Sequence, residues 1–159
     1  YPDRKKGTLS GIYESTCGGE FVPYIYPQEC GNHEDTRWLL IQGEKSGLRF
    51  EGDGQTFRFK YLKYSDFEIE NAAHPEELPW SGRNHLTICG FMRGVGGDDS
   101  WLSPVHEPFE LKSDGGYHFS FTVRPVISQG GLQDSGSPNL VQNAGGQQGK
   151  YEGERLWLE

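Results

Sequence analysis

Basic residues are in short supply in this chain. Fifteen Lys and Arg stand against 23 Asp and Glu, a net charge of −8. A phosphate backbone needs a basic face, so nucleic acid is excluded as a partner. Long apolar runs are missing as well: no stretch approaches the roughly 20 residues that span a bilayer, and no membrane segment is expected. Cysteine is sparse. Cys17, Cys30 and Cys89 are odd in number and show no C-x-x-C spacing, which suggests neither a zinc site nor a disulfide framework. They read as reduced thiols in a reducing, cytoplasmic setting. The chain opens on Tyr1 and carries no signal-peptide pattern, so it is expected to be an excised piece of something longer.

Several catalytic signatures are also missing. His33-Glu34-Asp35 has metal-friendly residue types, but adjacent side chains do not all face one ion, and the H-E-x-x-H spacing is absent. Ser100 lacks the G-x-S-x-G elbow of serine hydrolases. Glu34-Asp35, Glu76-Glu77 and Asp98-Asp99 are adjacent pairs. Nothing in adjacency fixes the separation of about 5 to 9.5 Å that two carboxylates need across a glycosidic bond. No catalytic or metal-ligating residue is therefore assigned to this chain. His74 and His85 read as satisfied packing histidines, and Arg37-Trp38 as a core-edge cation–π or ion-pair element.

What is abundant is aromatic and small. Nine Phe, eight Tyr, four Trp and 23 Gly in 159 residues argue for strands and loops in one domain. Arg37–Gln42 is an apolar run of strand length, and Leu48–Glu51 returns after the turn at Gly43–Gly47. Phe57, Phe59 and Tyr61 alternate with Arg58 and Lys60, which predicts a half-buried strand. Leu86, Ile88 and Met92 mark one side of His85–Arg93. Tyr117, Phe119, Phe121 and Val123 alternate most cleanly of all, and Pro125 is expected to end that strand. These apolar positions are expected largely inside. Ser65-Asp66-Phe67-Glu68 is a capping-box pattern that predicts one short helix, about Asp66–Ala73, before Pro75. The expected fold is all-β: an antiparallel β-sandwich over 1–127 with one short helix. From Ser128 onward Gly, Gln, Ser and Asn dominate, and 128–159 reads as a flexible tail, with apolar Leu156-Trp157-Leu158 able to dock on something.

The most informative segment is Gly94-Val95-Gly96-Gly97-Asp98-Asp99-Ser100-Trp101. Its glycines allow a backbone course with φ > 0 that a side chain would block. The segment reads as a tight loop that ends in a large flat indole. That shape either offers a face to a ligand, for which a sugar ring is the natural candidate, or is a hairpin whose Trp caps the core. Asp98 and Asp99 are expected to bond nearby backbone amides or an Arg rather than a sugar. A phosphate is disfavoured by those two carboxylates and by the lack of a P-loop Lys.

Several such segments occur together in order. They are Tyr1-Pro2-Asp3-Arg4, Phe21-Val22-Pro23-Tyr24, Pro27-Gln28-Glu29-Cys30-Gly31-Asn32, Asp35-Thr36-Arg37-Trp38, Tyr64-Ser65 with His74 and Leu78, the glycine-rich loop, and Tyr117-His118-Phe119-Ser120-Phe121. Over roughly Tyr1–Pro125 the chain resembles the C-terminal, small-chain-like region of family 2 glycoside hydrolases of the β-galactosidase type. Cys30 departs from the family pattern, which carries Asn there, and the Gly/Gln-rich tail looks foreign to it. The resemblance implies part of a β-supersandwich of the galactose-mutarotase type. It places the catalytic Glu pair on a (β/α)₈ barrel of roughly 200 residues or more, which this chain has no room to contain. It implies that Trp101 lines the sugar pocket, with Gly94, Gly96, Gly97, Asp98, Asp99 and Ser100 as the supporting loop.

Three functions compete at this point. The chain is a non-catalytic domain of a retaining β-galactosidase that gives the sugar pocket an aromatic wall, a free-standing carbohydrate-binding module, or a structural and oligomer-interface piece. The first is favoured by the motif spacing. Its implied partners are a β-galactoside such as lactose, the barrel and remaining sandwich of the parent enzyme, and a possible second copy. No cofactor is expected in this chain; the Mg and Na often used by intact enzymes of the family are bound elsewhere.

Overall fold

The computed structural model describes residues 1–4, 9–99, 102–127 and 155–158, the last four by their backbone. The chain order is β1 (Tyr13–Thr16), β2 (His33–Thr36), β3 (Trp38–Gln42), β4 (Ser46–Gly52), β5 (Phe57–Leu62), α1 (Asp66–Asn71), β6 (His85–Cys89), β7 (Phe121–Ile127) and β8 (Arg155–Leu158). Two antiparallel sheets result, one ordered β1-β8-β3-β4-β7 and one ordered β2-β5-β6. The architecture is all-β with one short α-helix, as expected from the alternation. No described helix is long and apolar enough to cross a membrane.

The core sits between the two sheets. Leu39 and Phe50, paired across β3 and β4, meet Phe57, Phe59 and Tyr61 from β5 and Cys17 from the loop after β1. Ile41, Leu86, Ile88 and Phe119 pack around this cluster. The expected strand at β5 is therefore present, but it is not half-buried. Lys60 on its opposite face is also buried, because its ammonium sits 2.6 Å from Glu29 Oε1 and 2.7 Å from Asp66 Oδ1. A buried charge is tolerable when paired in this way. Despite burial, which pushes it down, the Lys60 ammonium titrates above its ordinary value, held there by Asp66 and Glu29.

Local signals set α1. Ser65 Oγ accepts from the amide of Glu68 at 3.2 Å, and Glu68 Oε2 accepts from the amide of Ser65 at 2.7 Å. This is the expected capping box. The helix stops at Asn71, and Ala72 is its extended C-cap, two residues earlier than the proline alone implies. Ile69 is its buried contact with the body of the domain.

β7 corrects the sequence reading. It runs Phe121–Ile127 and contains Pro125 rather than ending before it. Among the described strands it pairs only with β4, with Pro125 opposite Leu48. An edge strand has one side that needs no ladder donor, so proline is tolerated there. Tyr117 lies outside the strand, and Tyr117, Phe121 and Val123 are exposed rather than inside. Phe121 and Val123 stand on the same side of their sheet as Phe50, but towards its edge, where the three-stranded sheet does not cover them.

Three strands went unread in the sequence, β1, β2 and β8, the last of them within the expected flexible tail. β1 and β2 are four residues each and largely polar. The register of β2 against β5 shifts between His33 and Thr36, and Asp35 takes φ 53° there. A short polar side chain is among the few that adopt this left-handed conformation at such an irregularity. The backbone of Leu156-Trp157-Leu158 does dock: β8 inserts between β1 and β3. The flexible reading of Ser128–Gly149 lies outside the described residues.

Candidate functional site

The glycine-rich loop is held against the start of the chain. Asp3 Oδ2 accepts from the amides of Val95 at 3.0 Å and Gly96 at 2.8 Å, and Oδ1 accepts from Val95 at 3.2 Å. The amide of Gly94 donates to the carbonyl of Phe109 at 2.8 Å. Further along, Asp98 Oδ1 lies 2.8 Å from His106 Nε2. Three anchors from two segments, the start of the chain and the His106–Phe109 turn, thus fix the loop. Partial burial pushes the Asp3 carboxyl up. The amides of Gly96 and Val95 and the Arg4 guanidinium outweigh it, and the group titrates below its ordinary value.

The glycines serve a different purpose from the one expected. Among the described residues the positive-φ glycines are Gly31, Gly54 and Gly82; Gly94, Gly96 and Gly97 are not among them. Their requirement is space. A Cβ on Gly94 would stand 2.6 Å from Asp3 Oδ2 and 2.9 Å from Phe109 Cβ, one on Gly96 would collide with the Arg4 guanidinium, and one on Gly97 would stand 2.4 Å from the Pro104 carbonyl oxygen. The loop backbone runs against the side chains of Asp3 and Arg4, so two motifs over 90 residues apart interlock.

Among the expected site residues, Gly94, Gly96, Gly97, Asp98 and Asp99 lie together in this loop. Ser100 and Trp101, the central substrate-binding assignment, lie outside the described residues. Leu102 directly after them is 93% exposed and has φ 68°. A left-handed conformation of this kind costs a non-glycine residue roughly 1–3 kcal/mol. Among the described residues, Asp98 pairs with the exposed His106.

The remaining titratable groups pair with one another within the fold. Glu34 takes Arg58 Nε at 2.6 Å and Asn32 Nδ2 at 3.0 Å. His33 Nε2 lies 2.5 Å from Glu20 Oε2 and its ring stacks on Phe59 at 4.7 Å. Burial pushes the Glu20 carboxyl up, but bonds from His33 and Ser15 win and hold it low. His74 is exposed and pairs with Glu77 at 3.2 Å, not in packing. His85 stands 3.8 Å from Glu68 at the rim of the domain. The cation over Trp38 is Arg49, at 4.4 Å from the ring. Among the described residues, no three His, Cys, Asp or Glu converge as metal ligands.

Sequence reasoning named Asp3 only as part of an opening motif and passed over His106 and Phe109. Only the recurrence of Tyr1-Pro2-Asp3-Arg4 alongside the loop in one family pattern hinted at the link.

Comparison with known proteins places the chain in a family. The model for the β-galactosidase small chain matches residues 1–123. The β-galactosidase of Streptococcus thermophilus is 39% identical over 127 residues, covering 79% of this chain and 12% of its own. The β-galactosidase BgaC of Bifidobacterium adolescentis is 43% identical over 117 residues, 72% of this chain and 11% of that protein. The β-galactosidase small subunit of Latilactobacillus sakei is 39% identical over 134 residues, 77% of this chain and 42% of the subunit. The chain belongs to the β-galactosidase small-chain family. It spans about 12% of the length of the Streptococcus relative and 42% of that of the Latilactobacillus subunit.

Proposed function

We propose that this chain is a non-catalytic part of the last β-sandwich of a retaining family 2 β-galactosidase, and that its glycine-rich loop brings Trp101 to the galactoside as an aromatic wall. The observation that carries the reading is the loop itself. Gly94–Asp98 is pinned at Asp3, Phe109 and His106, and a pinned loop presents an indole at low entropic cost. A sugar's C–H face against an indole buries apolar area while its hydroxyls stay hydrogen-bonded.

Partner strands of the parent are part of the proposal. Leu48, Val123 and Ile127 are exposed on the side of the five-stranded sheet that carries Leu39 and Phe50. A contiguous apolar face of this kind favours cover from further sandwich strands, or a second copy when those are missing. The hydrolytic Glu pair and the Mg and Na sites belong to other parts of the parent in this reading; here Glu34 is committed to Arg58 and Glu29 to Lys60.

The test is turnover of a chromogenic β-galactoside by the purified chain and by the enzyme assembled with the rest of its parent. The chain alone is expected to be inactive and the assembled enzyme active. Activity that co-purifies with the chain after removal of host enzyme contradicts the reading. A millimolar affinity of the isolated chain for galactose would make it a binding module in its own right.

A further inference from the structure

We infer that the gap between β1 and β3 is a docking slot for an extended apolar strand from the rest of the enzyme, and that this chain's own Arg155–Leu158 occupies it as a stand-in. The inference rests on the proposed place of the chain within a larger β-galactosidase. Among the described strands β1 pairs only with β8, so β8 alone joins it to the sheet. β8 runs antiparallel to both neighbours. Leu158 is in register with Tyr13 and Leu39, and Leu156 with Ser15 and Ile41. Both flanking strands lie within residues 1–123, which match the small-chain family, whereas β8 lies beyond them. The slot is thus part of the family region and its filling is not. An empty slot is unfavourable. β3 holds buried Leu39 and Leu40 and packs Ile41 on the core. Without a neighbour it would present the unpaired amides and carbonyls of an apolar edge, a template for another strand. The strand that fits is extended and antiparallel to β3, with apolar residues at every second position to match Leu39 and Ile41. Main-chain pairing supplies affinity to any strand of that pattern. Arg155-Leu156-Trp157-Leu158 has the pattern. Being on the same chain raises its effective concentration, so it holds back a strand that arrives from outside.

The experiment compares the full chain with its Leu156→Pro variant, because proline removes a ladder bond from a strand paired on both sides. Hydrogen exchange reads the amides of β1 and β3, with those of β5 and β6 as the control for folding. In the variant the β1 amides are expected to lose protection by about tenfold or more, while β5 and β6 keep theirs. A labelled peptide of residues Tyr151–Glu159 is expected to restore that protection, and to bind the variant about tenfold or more tighter than the intact chain. The rest of the parent enzyme is then titrated with each form, and turnover of a chromogenic β-galactoside is followed. Leu156→Pro is expected to reach half-maximal activity at about threefold to tenfold lower concentration. Unchanged β1 protection in the variant, or a peptide that fails to bind it, overturns the slot. Equal or weaker assembly by the variant overturns the competition and leaves the small-chain reading standing. Absence of activity with both forms overturns that reading and this inference with it. Should β5 and β6 lose protection too, β8 is an integral strand of the fold rather than a stand-in, and the inference fails.

Discussion

Strands β5 and β7 carry almost the same sequence pattern and meet opposite fates. Phe57, Phe59 and Tyr61 alternate on one; Phe121, Val123 and Ile127 alternate on the other. β5 lies in the middle of its sheet, between β2 and β6, and Phe57 and Phe59 are 0% exposed. β7 is an edge strand, and Val123 and Ile127 are 46% and 76% exposed. Alternation reports that a face is apolar; what covers that face is decided by other strands, which in the proposed function belong to the parent enzyme. The difference between the two strands is what the proposed cover by further sandwich strands would produce.

The largest effect should separate the two strands directly. Phe59→Ala is expected to cost about 3–5 kcal/mol in urea unfolding of the chain, the cost of emptying a core site. Val123→Ala should cost under about 1 kcal/mol in the same experiment, as surface changes do. Equal costs would mean that β7 is covered within this chain and that the comparison fails. In the assembled enzyme Val123→Ala should become more costly than in the chain alone.

The polar faces sharpen the contrast at a smaller scale. Lys60 on β5 is buried between Glu29 and Asp66, whereas Arg124 on β7 is 68% exposed and 3.8 Å from Glu51. Lys60→Ala is expected to cost about 1–3 kcal/mol through lost charge-assisted bonds, and Arg124→Ala less than about 0.5 kcal/mol. Thermal or urea melts of the two variants check this, and a larger loss from Arg124→Ala would contradict it.

A third effect is smaller still and concerns the loop. The Asp3 carboxyl is held low in the folded chain. A group lowered by folding stabilises above its unfolded value, and that contribution is lost as pH falls through the folded one. The amide protons of Val95 and Gly96 should therefore shift with pH at a midpoint below the unperturbed Asp value of about 3.9. A midpoint at or above that value would mean the carboxylate does not hold them in solution.

The sequence made the core of the fold legible where the signals were local. Period-two alternation marked β5, an apolar run with a glycine turn marked the β3–β4 hairpin, and Ser65 with Glu68 marked the start of α1. It failed where the deciding partner was distant or the strand was polar. His33–Thr36 shows no apolar alternation, because its side chains are committed to ion pairs with Glu20 and Arg58. β8 pairs with strands more than 100 residues away. At the candidate site the loop was legible as glycine-rich and constrained, yet the reason was invisible. The glycines make room for Asp3, Arg4 and Pro104 rather than for an unusual φ, and no local pattern announces a neighbour that far off.

The central claim concerns Trp101, and paired kinetics and melting of Trp101→Ala in the assembled β-galactosidase test it most directly. An indole that walls the sugar pocket contributes about 1–3 kcal/mol of binding, so KM for a galactoside should rise roughly tenfold to a hundredfold while the melting temperature stays close to that of the unchanged enzyme. An indole that caps the core would instead cost about 3–5 kcal/mol of stability. A collapsed melting temperature with an unchanged KM would contradict the account and assign Trp101 to the core.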